Sequence, residues 1–200
     1  MARTRRSADR EARREELLRI AAGLFAERGY EATTVRDIAS AAGILSGSLY
    51  HHFDSKEAMV DAILAPFLAE AVAGCEAVVA GGEGPRRTLE GLITAALDGI
   101  ADNRDAILIF QNEAQRLATE ARFAYLGEAD RKLERIWTDL LRRGSESGEL
   151  RADLDPTLTY RLIRDSVWSA PRWYSPGASP SPERIADQYV AVLVEGVASR

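Results

Sequence analysis

The sequence predicts an all-α protein of nine helices, and three observations support this fold class. Apolar residues recur at three- and four-residue spacing from one end of the chain to the other. Gly, Pro, Asn and Asp, which start and end helices, separate these stretches. The sequence lacks the alternating apolar and polar runs that would indicate strands. With 200 residues and 46% apolar content, the chain can bury a substantial core.

Helices one and two are predicted from their ends. Helix one should run from about Asp9 to the residue before Gly29, which stops it. Thr34 should cap helix two, because its hydroxyl can accept a hydrogen bond from a free backbone amide. Asp37 stands three positions later as the acidic member of a capping box. Gly43 should end this helix.

A tight turn leads from helix two into a short third helix. We expect Ser46 to cap helix three and the helix to continue through Tyr50 to His52. Asp54 and Glu57 should form a second acidic box that opens helix four. Helix, short turn, helix is the spacing of DNA-binding motifs that lay the second helix in a major groove.

The C-terminal two thirds of the chain should hold the remaining helices. Helix four should end at Ala80 before a glycine-rich loop, and Asp102 with Asn103 should break helix five. Asp155 followed by Pro156 predicts the start of helix eight, because the carboxylate caps and proline fits the first turn. The other predicted spans are residues 107–118 for helix six, 133–144 for helix seven, 156–173 for helix eight and 175–182 for a Ser/Pro/Gly loop. The last pair of this loop, Ser181 and Pro182, repeats the cap-then-proline start for helix nine, which should run through Val197.

Charge and spacing predict two domains. Residues 1–56 should form a helix-turn-helix DNA-binding domain with a basic N-terminal arm, and residues 57–200 a second, larger domain. The net charge of −5 lies downstream, since acidic and basic side chains balance over the first 62 residues. Six arginines against two acidic residues in the first 14 positions indicate an arm that follows phosphates, or else a solvated leader.

The stretch from residue 12 to residue 65 resembles the N-terminal domain of the TetR family of bacterial repressors. The resemblance implies a repressor that binds an inverted-repeat operator as a homodimer, with helices eight and nine of two chains forming a four-helix bundle. It also implies that residues 57–200 form a ligand-binding and dimerisation domain. The matching positions follow the family's order without a gap and include Phe25, Gly29, Thr33, Thr34, Ile38, Ala39, Gly43, Leu49, Tyr50, Phe53, Lys56 and Glu57.

The predicted DNA contacts combine side-chain chemistry with this resemblance. Hydroxyl and imidazole groups of helix three suit phosphates and base edges, and Lys56 stands near the positive start of helix four. Where the family often carries Lys or Pro after the first serine of helix three, this chain has Gly47, which should make less base contact. The resemblance assigns phosphate contacts to Thr34, Tyr50, His51 and Lys56, and base contacts to Ser46, Gly47 and Ser48, with Arg36 as a further candidate.

Aromatic residues concentrate beyond residue 62 and predict either a ligand cavity or an aromatic core. Arg164 and Trp168, four residues apart, should share one helix face. Because arginine keeps its charge, Arg164 should either bind an anionic ligand or pair with a carboxylate such as Asp165 or Glu113. The predicted ligand-binding residues are Phe110, Gln111, Phe123, Arg164, Trp168 and Trp173.

Two C-terminal segments resemble TetR-family members that control steroid-ring breakdown and respond to a coenzyme A thioester. The segments are FQNEAQRLATEARFAYL and DLDPTLTYRLIRDSVWSAPRWYSPG. This resemblance implies an acyl-CoA effector that contacts Arg164 and Trp168. The alternative within the family is a regulator of efflux or lipid metabolism with another apolar ligand. On helix nine, the predicted dimer stripe is Ile185, Tyr189, Val192, Leu193 and Val197.

Other classes of protein find less support in the sequence. The single Cys75 cannot form an intramolecular disulfide, and we expect a cytoplasmic protein. Residues 62–80 contain Pro66 and two glutamates, so we expect a packed helix and no membrane span. His51 and His52 are adjacent and point apart on a helix, so we expect no enzyme, metal site or cofactor. A scaffold of helices is the third alternative, which the helix-turn-helix spacing disfavours.

Overall fold

The computed structural model describes residues 2–174 and 180–197, and helices make up most of them. Eight α-helices and one 3-10 turn follow one another in these ranges. Their bounds are α1 (Ala2–Arg28), α2 (Val35–Ala41), α3 (Ser46–Leu49), α4 (Lys56–Ala80), α5 (Pro85–Leu117), the 3-10 turn (Ala121–Phe123), α6 (Ala124–Ser147), α7 (Pro156–Trp173) and α8 (Pro182–Val197). The all-α prediction is confirmed.

The helix ends follow the local signals at most positions. Gly29 and Gly148 adopt positive φ and end α1 and α6. The carboxylate of Asp155 accepts a hydrogen bond from the amide of Leu158, and Pro156 takes the first turn of α7 as predicted. The predicted loop at 175–182 lies mainly outside the described residues.

Three predicted starts are wrong. Ser46 is the first residue of α3 rather than its cap, because Leu45 is the extended residue before the helix. Ser55, not Asp54, caps α4, by accepting a hydrogen bond from the amide of Ala58. Helix one begins at Ala2 rather than Asp9, since arginine favours helix and nothing in this leader interrupts it.

Predicted helices five and six are the two arms of one long helix, α5. Asn103 interrupts it with non-helical backbone angles, φ −114° and ψ 16°, so the predicted break is a kink and not a loop. The prediction for helix seven began too late, since α6 starts at Ala124. The kink separates an N-terminal arm from a C-terminal arm that runs to Leu117.

Two hydrophobic clusters form the interior. The first joins α1, α2 and α3 to the start of α4, but it also takes in Ile109, Leu117 and Phe123 from beyond the predicted boundary at residue 56. The second joins the N-terminal arm of α5 to α6, α7 and α8. Phe67 and Trp168 pack against both clusters. The N-terminal region with the helix-turn-helix is therefore packed onto α5 as well as connected through α4.

Helix α4 departs from the sequence expectation in one respect. By length and composition it is apolar enough to cross a membrane, with a mean hydropathy of 1.8 over its most apolar window. It packs instead against α1, α5 and α6 and carries exposed Glu70 and Glu76. Part of its apolar surface packs in the interior, and another part lines a cavity.

Candidate functional site

Local hydrogen bonds fix the geometry of the helix-turn-helix. The Thr34 hydroxyl accepts from the amide of Asp37 at 3.1 Å, and the Asp37 carboxylate accepts from the amide of Thr34 at 2.9 Å, so the predicted capping box is confirmed. The Thr34 hydroxyl also donates to the Asp37 carboxylate at 2.6 Å, and the hydrogen bonds that this carboxylate accepts from the hydroxyl and the amide of Thr34 lower the pKa of Asp37. At the other end, the amides of Gly43 and Ile44 donate to the carbonyls of Ser40 and Ala39. This closing motif requires the positive φ of Gly43, 66°.

Helix α3 is held by two anchors and presents its other face outward. Leu49 and Phe53 are buried in the first cluster, as predicted. Tyr50 is 54% exposed, and a side chain at Gly47 would meet open space. Of the predicted DNA contacts, Thr34, Arg36, Gly47, Ser48, Tyr50 and His51 are exposed, whereas Ser46 and Lys56 are partly buried.

Lys56 points partly into the protein. Its ammonium donates to the carbonyl of Tyr30 at 2.7 Å and to that of Thr33 at 3.1 Å. The nitrogen also lies 4.1 Å from the centroid of the Tyr30 ring. Two of its three N–H donors therefore hold the turn before α2, and one remains for an external acceptor.

Arginines near the start of α1 support the helix-turn-helix from behind. Arg13 donates to the carbonyl of Ala42 at 3.1 Å, at the end of α2. The Arg14 guanidinium lies 4.9 Å from the centroid of the Phe53 ring, and Arg10 is 3.5 Å from a carbonyl of the turn after α3. This part of the predicted basic arm is helix packed on the motif.

A cavity of about 230 Å³ lies between α4, α5, α6 and α7. Most of its wall is apolar, and Arg164 and Trp168 are both part of it, as predicted. Burial raises the pKa of the Cys75 thiol in this wall and raises that of Tyr160 to about 12. The other lining residues with polar atoms are Glu70 and Asn103, and the larger apolar ones are Phe67, Leu68, Ile107, Leu133, Trp137, Ile163 and Val167.

Arg164 has a protein partner and also faces the cavity. Its Nε is 2.9 Å from the Asp165 carboxylate, which is largely exposed. Its guanidinium lies 5.5 Å from the Tyr160 ring centroid and 5.9 Å from that of Trp168. Although burial lowers the pKa of Arg164, the bond with Asp165 raises it overall. Glu113 is not its partner, because that carboxylate accepts from the amide of Tyr30.

An open groove lies on the other side of Arg164 and Trp168. Phe110 and Gln111 line this groove rather than the apolar cavity, and Arg172 lies beside them. The Gln111 side chain donates to the carbonyl of Trp168 at 2.7 Å, and the Phe110 ring meets the Trp168 ring edge-on at 5.5 Å. Arg164 and Trp168 thus form a wall between an apolar cavity and a polar groove.

Two predicted ligand residues do not reach these spaces. Phe123 is fully buried in the first cluster, and Trp173 is 52% exposed at the end of α7. Neither lines the cavity or the groove. Sequence reasoning missed Tyr160 and Asn103 in the cavity wall. The sequence offered a signal for both residues. Tyr160 precedes Arg164 by one helical turn and so shares its face, and Asn103 stands at the predicted break in helix five.

The exposed apolar residues of the last two helices differ from the predicted stripe. Ile185 packs into the second cluster of its own chain, and Tyr189 donates to the carbonyl of Ser166. These residues face inward because α8 packs closely on α5. The large apolar side chains that remain exposed on these helices are Leu158, Leu162 and Trp173 of α7 and Val192 of α8.

Comparisons with known families agree with this geometry. Residues 17–63 match the model of bacterial regulatory proteins of the tetR family. Residues 82–197 match the model of the tetracyclin repressor-like C-terminal domain. The two matches cover the helix-turn-helix and the cavity-bearing helices.

Individual relatives extend the likeness over most of the chain. The chain is 49% identical over 187 residues to the HTH-type transcriptional repressor KstR2 of Rhodococcus jostii, covering 94% of this chain and 92% of the relative. The structure of the ketosteroid transcriptional regulator KstR2 of Mycobacterium tuberculosis superposes with a TM-score of 0.90 at 46% identity, covering 94% and 96% of the two chains. AibR in complex with isovaleryl coenzyme A and operator DNA shares the fold, with a TM-score of 0.77 at 24% identity over 91% and 98% of the chains.

Proposed function

The chain belongs to the TetR family of bacterial transcriptional regulators, and from this premise we propose a dimeric repressor of steroid-catabolism genes that an acyl-CoA effector releases from DNA. The family and the KstR2 relatives identify the protein as a TetR-type transcriptional repressor. Such a regulator works where the chromosome is, in the cytoplasm. The effector, the contact residues and the mode of release are the proposal.

The outward face of α3 supports the DNA contacts. Tyr50, Ser48 and His51 are exposed, while Leu49 and Phe53 hold the helix from inside. Polar side chains on a rigidly held helix can reach base edges and phosphates. Lys56 keeps one N–H donor for a phosphate beside the start of α4. We expect Ser46, Gly47 and Ser48 to face the bases and Thr34, Arg36, Tyr50, His51 and Lys56 to contact the backbone.

The wall formed by Arg164 and Trp168 is the observation that carries the effector class. An acyl-CoA of a steroid-ring fragment joins an apolar ring system to a chain of amides and phosphates. The apolar cavity suits the rings, and the open groove with Arg172 suits the charged portion. A KstR2 relative is named a ketosteroid regulator, and AibR was solved with a coenzyme A thioester and operator DNA, which supports this class.

The dimer interface is proposed to lie on the exposed apolar side of α7 and α8. Leu158, Leu162 and Val192 are more than half exposed in the single chain, and Leu158 and Leu162 lie four residues apart on one face of α7. Pairing α7 and α8 of two chains would cover them in a four-helix bundle. The two-fold axis would set two copies of α3 against an inverted repeat.

Release is proposed to act through α4 and its neighbours. This helix begins at Lys56 in the DNA-binding region and passes the cavity at Phe67 and Cys75. An effector that moves α4 changes the spacing of the two recognition helices. Near-complete release requires the effector to favour the released state by about 5 kcal/mol.

Operator release measured by fluorescence anisotropy tests this function. The probe is a coenzyme A thioester carrying a bicyclic ring with a propionyl chain, and free coenzyme A is the blank. The probe should release a labelled operator from the upstream DNA of the gene, and it should raise the melting temperature by mass action. Release by a long-chain acyl-CoA but not by the ring probe would support the lipid-metabolism alternative. Operator binding untouched by every thioester would reject an acyl-CoA effector.

A further inference from the structure

Tyr30 joins the DNA-binding region to the C-terminal arm of α5 at the point where the first cluster crosses the predicted domain boundary. We propose that four residues, Tyr30, Glu31, Glu113 and Arg116, form a latch that transmits the state of the cavity to the DNA-binding region through α5. This inference rests on the proposed function and adds to it a second route beside α4.

Tyr30 is bonded at each of its polar atoms. Its amide donates to Glu113 at 3.1 Å, its carbonyl accepts from Lys56 at 2.7 Å, and its hydroxyl donates to Glu57 at 2.9 Å. Tyr30 is 3% exposed, and the Arg116 guanidinium lies 4.8 Å from the centroid of its ring. Burial and the bond to Glu57 raise its pKa well above the ordinary value. Tyr30 is therefore fixed at once to α4 and to α5.

Arg116 adds a charged bridge between the two regions. It lies 2.9 Å from Glu31, in the turn after α1, and 3.2 Å from Glu113 on its own helix. Glu113 is only 14% exposed, so this part of the network is less screened by water than a surface pair. The network binds the turn before α2 to the end of α5.

The other end of the same arm reaches the effector spaces. Asn103, at the kink, lines the apolar cavity, and Phe110 and Gln111 line the groove. Arg104 and Gln111 also bond to carbonyls of α7, at Pro171 and Trp168. From Asn103 to Glu113 the arm spans about 15 Å. A ligand that displaces Asn103 would move the C-terminal arm of α5 directly, and one that displaces Trp168 would move it through the bond to Gln111. Because Glu113 near the other end of this arm is bonded to Tyr30, the movement would reach the DNA-binding region.

The orientation of the DNA-binding region depends on its attachment to both α4 and α5. A region carried by α4 alone is free to turn about that helix axis, so movement of α4 would not define where α3 points. The packing of α1 on α5, together with the polar attachment at Tyr30, fixes this rotation. The tilt of α5 relative to α4 then sets the orientation of the DNA-binding region, and a ligand between the two helices changes that tilt.

The test compares two latch variants with a matched ion pair elsewhere. Glu113→Gln keeps an acceptor for the Tyr30 amide but loses the charge, and Arg116→Met breaks the bridge to Glu31. The control is Lys132→Met, which breaks a 2.8 Å pair with Glu76 between α6 and α4 and does not touch the DNA-binding region. Operator affinity is measured with and without the ring-bearing thioester, and thioester affinity is measured by calorimetry.

In the latch variants we expect thioester and operator affinities, each measured alone, to stay within about threefold of the wild type. The ratio of operator affinities without and with thioester should fall by about fivefold or more, because only the coupling is lost. Lys132→Met should keep the wild-type ratio. A wild-type ratio in both latch variants overturns the proposal.

Amide hydrogen exchange separates the latch from the proposed function. Without DNA or ligand, Glu113→Gln should speed exchange across residues 28–45 by about fivefold or more, whereas Lys132→Met should not. If the wild type fails to bind DNA or the thioester, the proposed function fails and this measurement alone decides on the latch. Equal exchange in the two variants overturns it.

Discussion

The DNA-binding region and the effector-binding region use opposite kinds of packing. Around α3 the interior is filled, and the side chains proposed to act, such as Tyr50 and Ser48, lie on the outside of a rigid support. Around α4 and α7 the acting feature is an empty space, with Arg164 and Trp168 in its wall. A surface that reads DNA must be held still, whereas a cavity that detects a ligand needs walls that can move.

Each region carries an exposed leucine, and the two leucines belong to surfaces with different roles. Leu45 is 80% exposed before α3, and Leu162 is 72% exposed on α7. We infer that the first flanks a DNA-facing surface and that the second is covered by another copy of the chain.

Leu162→Glu should break the dimer. A carboxylate buried without a partner costs about 3–5 kcal/mol, so the dissociation constant of the dimer should rise by about 100-fold or more. Analytical ultracentrifugation should show a monomer with unchanged helix content, and operator binding should be lost. Leu45→Glu is the matched control and should stay dimeric. A dimeric Leu162→Glu variant would remove α7 from the interface.

Arg164→Gln should weaken effector binding while leaving operator affinity unchanged. Removing one charge from a partly buried contact with an anionic group costs about 2–5 kcal/mol, or about 30-fold or more in affinity. Calorimetry with the ring-bearing thioester measures this loss. Arg142→Gln, which removes an exposed arginine paired with Asp139, serves as the control. An unchanged thioester affinity would leave Arg164 as the ion-pair partner of Asp165 alone.

Lys56→Ala should act on both the fold and the DNA. Losing the donor to Tyr30 and Thr33 should lower the free energy of unfolding by about 1 kcal/mol. Losing a phosphate contact should weaken binding to all sequences and reduce the slope of log affinity against log salt by about one. Lys132→Ala, at the other lysine, should change neither the slope nor operator affinity. A stability loss with an unchanged slope would show that Lys56 serves the turn only.

The smallest expected effect concerns the cap of α2. Hydrogen bonds from Thr34 lower the pKa of Asp37 from its usual 3.8. The ionised Asp37 carboxylate therefore stabilises the folded state above that pH, and this contribution is lost as the pH falls through the lowered pKa. Asp37→Asn should therefore reduce stability at pH 7, and the gap from the wild type should shrink below pH 3.8. Chemical denaturation at several pH values measures this. Thr34→Ala, which removes one of the hydrogen-bond donors, should reduce the pH dependence, and an undiminished one would assign it to other groups.

Prediction from the sequence succeeded where short-range bonds decide the structure. The capping box at Thr34 and Asp37, the glycine at Gly43 and the start of α7 at Asp155 are each set by contacts within a few residues. It failed where two adjacent residues compete for one role, as when Ser55 and not Asp54 caps α4. Both residue types cap helices well, so composition cannot choose between them.

The sequence by itself determined the all-α class, the helix-turn-helix and the pairing of Arg164 with Trp168 on one helix face, because each depends on the spacing of neighbours along a single helix or turn. Only the tertiary structure decided that Phe123 is core, that Lys56 bonds to the turn before α2, and that Arg164 separates a cavity from a groove. A cavity is the volume left unfilled between helices far apart in the chain. Its position depends on how all four helices pack together, which no local stretch of sequence specifies.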